Sequence, residues 1–293
     1  MAVATTAIGV ANDAYEYIAY STINVNRTNA DEYSSGVLLN DGRVVFVPAY
    51  FTTTIGVFDP TTNALSKIDC ESVNYAYAGS VLLPDGRVLF VPHNATTIGF
   101  FDPTTNAYST IAGMPGRGAY AGGVLLSDGR VIFVPSSATT IGIFNPVTNT
   151  YSTIAAASGS DKYRGGVLLS DGRVVFVPYN ATTIGIFNPA TNAYSTIAYT
   201  SPGGAAYNGG VLLPDGRVVF VPCNTQIIGI FNPATNVYST ITGAPGNFAY
   251  SGGVLLPDGR VVFVPGNVAT VGILSGPSRP PPELCYHPCF NKY

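Results

Sequence analysis

The sequence predicts an all-β fold, a six-bladed β-propeller whose blades are four-stranded antiparallel sheets. The first observation is the tripeptide Asp-Gly-Arg, which recurs at steps of 43 or 44 residues. Its aspartates are Asp41, Asp85, Asp128, Asp171, Asp215 and Asp258. The second is that each repeat contains four short runs of β-forming residues, and none has helical periodicity with a cap. Such a period with four strands per repeat is typical of propeller blades.

The first two predicted strands of a repeat flank the tripeptide. In the fifth copy they are Gly209–Leu213, strand a, and Arg217–Val221, strand b. Asp-Gly between apolar β-formers is the strongest short hairpin signal. Both strands are apolar at consecutive positions, which indicates burial on both faces between neighbouring sheets. The paired glycines of strand a make it the innermost strand, because strands without side chains can approach a narrow axis.

The third and fourth strands form a second hairpin. In the fourth copy, strand c is Thr183–Phe187 and strand d is Ala193–Ile197, joined by the sequence NPATN at Asn188–Asn192. Asn before Pro opens a turn, and the later Asn tolerates the left-handed conformation. We therefore expect two hairpins in each complete blade.

The two ends of the repeat array predict how the ring closes. The sixth copy stops after strand c, at Val268–Leu274, and Tyr15–Ile23 resembles strand d. We expect residues 15–23 to complete blade six, so that 1–275 form one propeller without an exposed sheet edge. Val3–Val10 also resembles strand c, and it either adds an outer strand or competes with Val268–Leu274. Residues 276–293 are a proline-containing tail.

The repeat pattern resembles kelch repeats and the propeller domain of galactose-oxidase-like proteins. The resemblance rests on the Leu-Leu-x-Asp-Gly-Arg-Val hairpin and on Phe58–Asn63 and Phe101–Asn106, both FDPTTN. It covers roughly residues 33–275. The chain departs from kelch repeats in having Val-Pro after strand b, as at Val91-Pro92, and tyrosine instead of tryptophan in strand d. The resemblance implies a kelch-like propeller.

The composition of the chain limits the classes of partner and the cellular location that we expect. Six of the 13 basic residues belong to the tripeptides, so no basic patch remains to bind nucleic acid. No apolar run approaches the ~18 residues of a membrane helix, so we expect no membrane insertion. The N-terminus lacks the pattern of a signal peptide. Three lysines in a Thr-, Asn- and Tyr-rich chain favour an extracellular or particle surface.

The loops before strand a and between strands b and c vary among copies, as binding surfaces on a fixed scaffold do. One residue there is constant: a tyrosine precedes strand a in every copy, at Tyr33, Tyr77, Tyr120, Tyr163, Tyr207 and Tyr250. These tyrosines either form a binding ring or pack between blades. Arg164 is the only charge among the residues that follow them, and it belongs to the same candidate binding set. The Asp-Gly-Arg tripeptides are interpreted as turn chemistry.

Catalytic and metal sites have little support in the sequence. Histidine occurs only at His93 and His287, and His93 alone does not complete a catalytic Ser-His-Asp or Cys-His set. Cys285, His287 and Cys289 are a weak candidate for a metal site that needs a fourth ligand. A local disulfide or free thiols are the alternative. We expect no cofactor and no catalytic residue.

The predicted function is therefore a non-enzymatic, kelch-like scaffold that binds a protein partner, on an extracellular or virus-particle surface. The first alternative is a lectin-like propeller with repeated glycan sites. The second alternative is an enzyme with one asymmetric top-face pocket, which would need an acidic pair or a metal; Asp161 with Lys162 and Arg164, in the variable loop of the fourth copy, is a weak indication of it.

Overall fold

The structure, a computed structural model, describes residues 4–6, 20–22, 33–48, 52–70 and 73–275, and its regular elements are all β-strands. None of the described residues belongs to a helix of the length and hydropathy needed to cross a bilayer. The chain divides into two compact units, Met1–Lys162 and Tyr163–Tyr293. Each unit is described by itself.

The strands follow the predicted repeats. Those of the first unit are β1 (Ala4–Thr6), β2 (Tyr20–Thr22), β3 (Tyr33–Leu38), β4 (Val44–Pro48), β5 (Thr54–Asp59), β6 (Ala64–Asp69), β7 (Tyr77–Leu82), β8 (Val88–Pro92), β9 (Thr97–Asp102), β10 (Ala107–Ala112), β11 (Tyr120–Leu125), β12 (Val131–Pro135), β13 (Thr140–Asn145) and β14 (Thr150–Ala155). Those of the second unit are β15 (Tyr163–Leu168), β16 (Val174–Pro178), β17 (Thr183–Asn188), β18 (Ala193–Ala198), β19 (Tyr207–Leu212), β20 (Val218–Pro222), β21 (Ile227–Asn232), β22 (Val237–Thr242), β23 (Tyr250–Leu255), β24 (Val261–Pro265) and β25 (Gly272–Leu274).

Each repeat forms its own antiparallel sheet with the strand order a-b-c-d. Sheets one to five are β3–β6, β7–β10, β11–β14, β15–β18 and β19–β22, and sheet six is β23–β25. The prediction of repeated four-stranded antiparallel sheets is therefore confirmed for five copies. In the described part of the chain, sheet six has three strands.

Both predicted turns have the expected backbone. In the strand a–b hairpin of sheet five, Gly216 has φ of 86° and the Arg217 N–H donates to Asp215 Oδ1 at 3.0 Å. In the c–d turn of the same sheet, Asn236 has φ of 57°, the left-handed conformation that asparagine tolerates. The Asp-Gly-Arg tripeptide is therefore turn chemistry, as predicted.

Within each unit the core lies between consecutive sheets. Strand b is buried at all five positions in sheets two to five, as predicted for a strand covered on both faces. Strand a is half-buried, and its glycines make room for the preceding sheet. A Cβ at Gly210 of sheet five would lie 2.7 Å from Val167 Cγ2 of sheet four. The glycines thus allow close sheet packing, and no larger residue fits at this position without displacing that valine.

The last sheet and the N-terminal segment differ from the other copies. Val254 of sheet six is 54% exposed, whereas its counterpart Val211 is 8% exposed and packs against the next sheet. Strand β2 pairs with β1, with Ala4 opposite Thr22, in a separate two-stranded sheet. The rest of the predicted strand at 15–23, most of Val3–Val10 and the tail 276–293 lie outside the described residues.

Candidate functional site

The six copies differ at the end of each sheet away from the Asp-Gly-Arg hairpin. The tyrosine that begins strand a pairs with the proline that ends strand b, as Tyr163 does with Pro178. Residues that follow either one therefore lie at the same end, which we call the loop end. The described residues after the proline are His93, Ser136, Tyr179, Cys223 and Gly266, and those after the tyrosine are Ser34, Ala78, Ala121, Arg164, Asn208 and Ser251.

A β-bulge shapes the loop end. In sheet four, the register shifts between Tyr163 and Gly166, and Gly165 has φ of 83°. A bulge redirects the side chains beside it. Here the Arg164 guanidinium carbon lies 4.0 Å from the centroid of the Tyr179 ring.

Five of the six repeat tyrosines, proposed from the sequence as a binding ring, lie in the core, and the sixth, Tyr33, is half-buried. Tyr77, Tyr120, Tyr163 and Tyr207 are fully buried, and Tyr250 is 5% exposed. The hydroxyl oxygens of Tyr207 and Tyr238 in strand d are 2.5 Å apart, and burial raises the pKa of Tyr207 far above its usual range. Tyr207 also packs between the cores of sheets four and five. The packing alternative is therefore favoured, because a buried ring cannot reach a ligand without opening the core.

The tripeptide arginines have a role that the sequence does not reveal. Each one pairs with its own aspartate, and a hydrogen bond from the Arg43 side chain helps to hold the pKa of Asp41 below its usual range. Arg43 also donates to Pro103 O at 2.6 Å and to Asn106 Oδ1 at 3.1 Å in the c–d turn of sheet two. The arginine thus links consecutive sheets at the end opposite the loop end, which we call the hairpin end.

His93 is the histidine of the repeats, and its ring has a defined orientation. Nδ1 lies 2.8 Å from the main-chain oxygen of Tyr120, and Tyr75 packs edge-on against the ring with centroids 5.2 Å apart. The loop that precedes Tyr120 is also held by this segment, because the Ala119 N–H donates to the His93 carbonyl at 2.9 Å. His93 therefore sits in a braced position at the loop end of sheet two.

The other nitrogen of His93 faces a position without a side chain. A Cβ at Gly118 would lie 3.7 Å from His93 Nε2 and 3.6 Å from Ser137 Oγ. Gly118 has φ of 72°, which glycine adopts without strain. The imidazole edge and the serine hydroxyl therefore border the same space over Gly118.

A buried lysine holds the loop beside Ser137. Lys162 is 4% exposed, and its Nζ donates to Ser136 O at 2.7 Å, Ala138 O at 2.8 Å and Gly159 O at 3.0 Å. Burial lowers the pKa of Lys162 below its usual value, and the charge of Asp161 opposes that effect. With all three ammonium protons donated, Lys162 acts as a structural cation here.

The same loop positions Asp161 against the serines. The Asp161 N–H donates to Ser137 Oγ at 3.3 Å, and the Ser136 hydroxyl donates to Asp161 Oδ1 at 3.2 Å. Asp161 has φ of 47°, a left-handed conformation that aspartate adopts more readily than most residues. The acidic and basic cluster predicted in this loop is therefore split. Asp161 and Lys162 brace the serines, while Arg164 stacks on Tyr179 in the second unit.

No group of three or more His, Cys, Asp and Glu side chains in the described ranges is arranged to hold a metal ion. The weak metal candidate, Cys285 with His287 and Cys289, lies outside the described residues and stays a prediction.

His93 and Ser137 are absent from the sites predicted from the sequence. The search for a triad required a carboxylate or cysteine partner, whereas the ring of His93 is oriented by a main-chain carbonyl, which leaves no mark in the sequence. The available signal is positional: His93 directly follows Val-Pro, at the position where the copies differ most. Gly118 is also a signal, because it stands in a loop whose counterparts carry other residues.

No family model and no curated protein sequence matches the chain. Solved structures do match. Virginiamycin B lyase from Staphylococcus aureus aligns with a TM-score of 0.71 at 15% identity, over 85% of this chain and 83% of that one. Its catalytically inactive histidine-to-alanine variant with quinupristin gives 0.72 at 15% identity, over 86% and 84%. A streptogramin B lyase gives 0.69 at 17% identity, over 84% and 83%.

These matches correct two predictions from the sequence. The kelch-like assignment is wrong, because the structural neighbours are streptogramin B lyases. The hairpin tripeptide that suggested it specifies a tight turn and carries no information about the family. The expectation of a non-enzymatic protein is overturned by the same finding, because the neighbours are enzymes. The expectations about protein, glycan, nucleic-acid and membrane partners stay predictions. At this level of identity the likeness establishes the fold, and this chain has the β-propeller fold of the streptogramin B lyases.

Proposed function

We propose that this protein is an enzyme that breaks a bond in its substrate by proton transfer at His93. The observation that carries the proposal is the 2.8 Å contact between His93 Nδ1 and the Tyr120 carbonyl oxygen. A carbonyl oxygen only accepts, so Nδ1 carries the proton of the neutral ring and the lone pair is on Nε2. A histidine held in one tautomer by a fixed acceptor is suited to act as a general base.

The neighbours of Nε2 support the same role. Ser137 Oγ accepts the Asp161 N–H, and its own hydroxyl proton remains for donation toward the space over Gly118. Abstraction of a proton requires a base that accepts it, and negative charge develops on the substrate as the proton leaves. A hydroxyl donor beside the base stabilises that charge. In this proposal, Nε2 of His93 accepts the proton of the substrate. The Ser137 hydroxyl donates a hydrogen bond to the substrate atom on which negative charge develops.

The reaction class we propose is elimination, in which the base takes a proton and a bond breaks without addition of water. Support comes from the fold, which this chain shares with lyases named for virginiamycin B and streptogramin B. Support also comes from the virginiamycin B lyase whose histidine-to-alanine variant is catalytically inactive, because that neighbour needs a histidine for its activity. Virginiamycin B and quinupristin are therefore the first substrates to test.

The test separates the base from the bracing contact. His93→Asn keeps an N–H near the Nδ1 position, which can still donate to Tyr120 O, but it removes Nε2. We expect turnover of quinupristin by the wild type, measured by liquid chromatography and mass spectrometry, and a loss of at least about 100-fold in His93→Asn. An elimination product has the total mass of the substrate, whereas a hydrolysis product carries one added water.

The matched control is His287→Asn, which changes the other histidine and is expected to keep wild-type turnover. Full turnover by His93→Asn, with its thermal unfolding unchanged, contradicts a base role for His93. Products that carry an added water contradict elimination. Absence of turnover by the wild-type protein contradicts the proposed substrate class.

We also propose that the six sheets close into one ring, with residues 15–23 as the fourth strand of sheet six. The support is the Tyr-Ser-Thr sequence at Tyr20–Thr22, shared with strand d of several other copies, and the exposed Val254 on sheet six. Deletion of residues 1–23 is expected to lower the melting temperature and to speed amide exchange in β24 and β25. Unchanged exchange in those two strands contradicts closure by this segment.

A further inference from the structure

We propose that Arg164 and Tyr179 form a binding site for the carboxylate group of a ligand at the loop end of sheet four. The proposal does not depend on proton transfer at His93, and its test needs no turnover. It rests on three features of Arg164: it lacks a carboxylate partner among the described residues, its guanidinium group stacks on a tyrosine ring, and the groups beside it are neutral.

Arg164 differs from the hairpin arginines in its partners. The arginines of the tripeptides each lie 2.6 to 2.7 Å from the aspartate of the same tripeptide. In the described part of the chain, Arg164 has no such carboxylate partner, and its guanidinium group lies instead over the face of the Tyr179 ring. Arg164 is half-buried, and its guanidinium group carries five N–H donors, for which the described residues provide no hydrogen-bond acceptor. An oxygen-bearing ligand can accept from these donors.

Tyr179 prepares the guanidinium group for this ligand. The ring is 9% exposed and is therefore held by the protein, and the guanidinium carbon lies 4.0 Å from its centroid. Stacking of this kind is attractive and restricts the rotation of the arginine. It occupies one face of the planar group and leaves its N–H edge available, which is the edge that binds a carboxylate in a bidentate manner.

The surroundings favour one negative charge over two. A Cβ at Gly165 would lie 3.4 Å from Gly209 Cα, so strands β15 and β19 bring Arg164 and Asn208 to neighbouring positions. The Asn208 amide donates to Ser251 O at 3.4 Å and keeps a second N–H.

The other described cations of this unit lie in hairpins and are paired with aspartates; they are Arg173, Arg217 and Arg260. One cation with neutral donors beside it matches a carboxylate, whereas a doubly charged phosphate usually draws on more than one cation or on a nest of main-chain N–H groups.

Cys223 supplies a less polar border to the same site. Its side chain is 3% exposed, and burial raises the pKa of its thiol while the nearby charge of Arg164 opposes that rise. A buried and weakly polar side chain near the guanidinium group lowers the polarity of its surroundings, and the probe is therefore a carboxylate attached to an aromatic body. Benzoate is the smallest probe with both parts.

The experiment is a titration of the full chain with benzoate, followed by the side-chain Nε–H signals of isotope-labelled arginine in NMR spectra. We expect saturable binding in the millimolar range, with the largest shift at the signal that disappears in Arg164→Gln. Arg164→Gln is expected to weaken binding at least about tenfold. Arg164→Lys keeps the charge but loses the planar fork, and it is expected to weaken binding nearly as much.

Two controls decide the outcome. Arg117→Gln removes an exposed arginine from a loop of the first unit and is expected to bind benzoate as the wild type does. Benzamide, the neutral counterpart of benzoate, is expected not to shift the Arg164 signal.

The proposal is overturned by unchanged benzoate affinity in folded Arg164→Gln or Arg164→Lys, by equal binding of benzamide, or by no saturable binding of benzoate to the wild type. Tighter binding of inorganic phosphate than of benzoate overturns the assignment to a carboxylate.

Discussion

The hairpin end and the loop end of the sheets are built on the same repeat, yet their charged groups have different uses. At the hairpin end every arginine is paired inside its own turn, and Arg43 also reaches the next sheet. At the loop end, individual copies have polar residues that the other copies lack, such as His93 and Arg164. His93 contacts a main-chain carbonyl and Arg164 contacts an aromatic ring, and neither has a carboxylate partner among the described residues. A repeat protein can therefore keep one end constant for packing and vary the other end for chemistry.

The largest loss of stability is expected at Tyr207, a loop-end residue that is the same in all six copies. Tyr207→Ala removes a fully buried ring between two sheets, and we expect a loss of about 3–5 kcal/mol in the free energy of unfolding. Urea denaturation measures it. The control is Ser251→Ala, at an exposed loop-end position of sheet six, with an expected change within about 0.5 kcal/mol. A loss below about 1 kcal/mol in Tyr207→Ala would contradict a packing role and support the alternative that the tyrosines bind a ligand.

A smaller effect is expected at the buried cation of the loop end. Lys162→Met leaves three main-chain oxygens without their donor, and we expect a loss of about 1–3 kcal/mol in the free energy of unfolding. Arg117→Met removes one positive charge from an exposed position in a loop of the same unit and is the control, with a change within about 0.5 kcal/mol. Equal stability of the two variants would mean that Lys162 does not brace the loop.

The smallest effect compares two arginines of the hairpin end. Arg43→Gln loses the pair with Asp41 and the contacts to sheet two. Arg217→Gln loses the pair with Asp215 alone, because Arg217 has no side-chain hydrogen bond to another sheet among the described residues. We expect Arg43→Gln to cost about 1 kcal/mol more than Arg217→Gln, because surface pairs alone contribute little. Thermal unfolding of both variants checks the difference, and equal melting temperatures would exclude a role for the contacts between sheets.

Much of the fold follows from local sequence. The Asp-Gly turn, the left-handed asparagine of the c–d turn and the consecutive apolar residues of strand b each specify their own conformation within a few residues. Gly216, Asn236 and β16 have the predicted geometry for that reason. The bulge at Gly165 was not predicted, because it depends on the register between strands a and b rather than on local preference.

The site was less accessible to prediction. Tyr207 and His93 are both polar aromatic residues near variable loops, and from the sequence only the tyrosine was a candidate ligand contact, with packing between blades as its alternative. The structure reverses the order, since Tyr207 is covered by two sheets while the Nε2 edge of His93 borders the space over Gly118. Recurrence in a repeat reports what every blade needs, which is packing, whereas a function confined to one site needs a departure from the repeat.

The sequence alone determined the repeat, the strand order within each sheet and the turns, because these depend on residues that are close together in the chain. The tertiary structure decided which polar groups are buried, which arginines link two sheets and which ring nitrogen of His93 lies against a main-chain carbonyl. Those properties come from contacts between segments 20 to 60 residues apart, such as His93 with Tyr120 and Arg43 with Pro103. No local preference encodes them, because each contact depends on how one sheet is placed against the next.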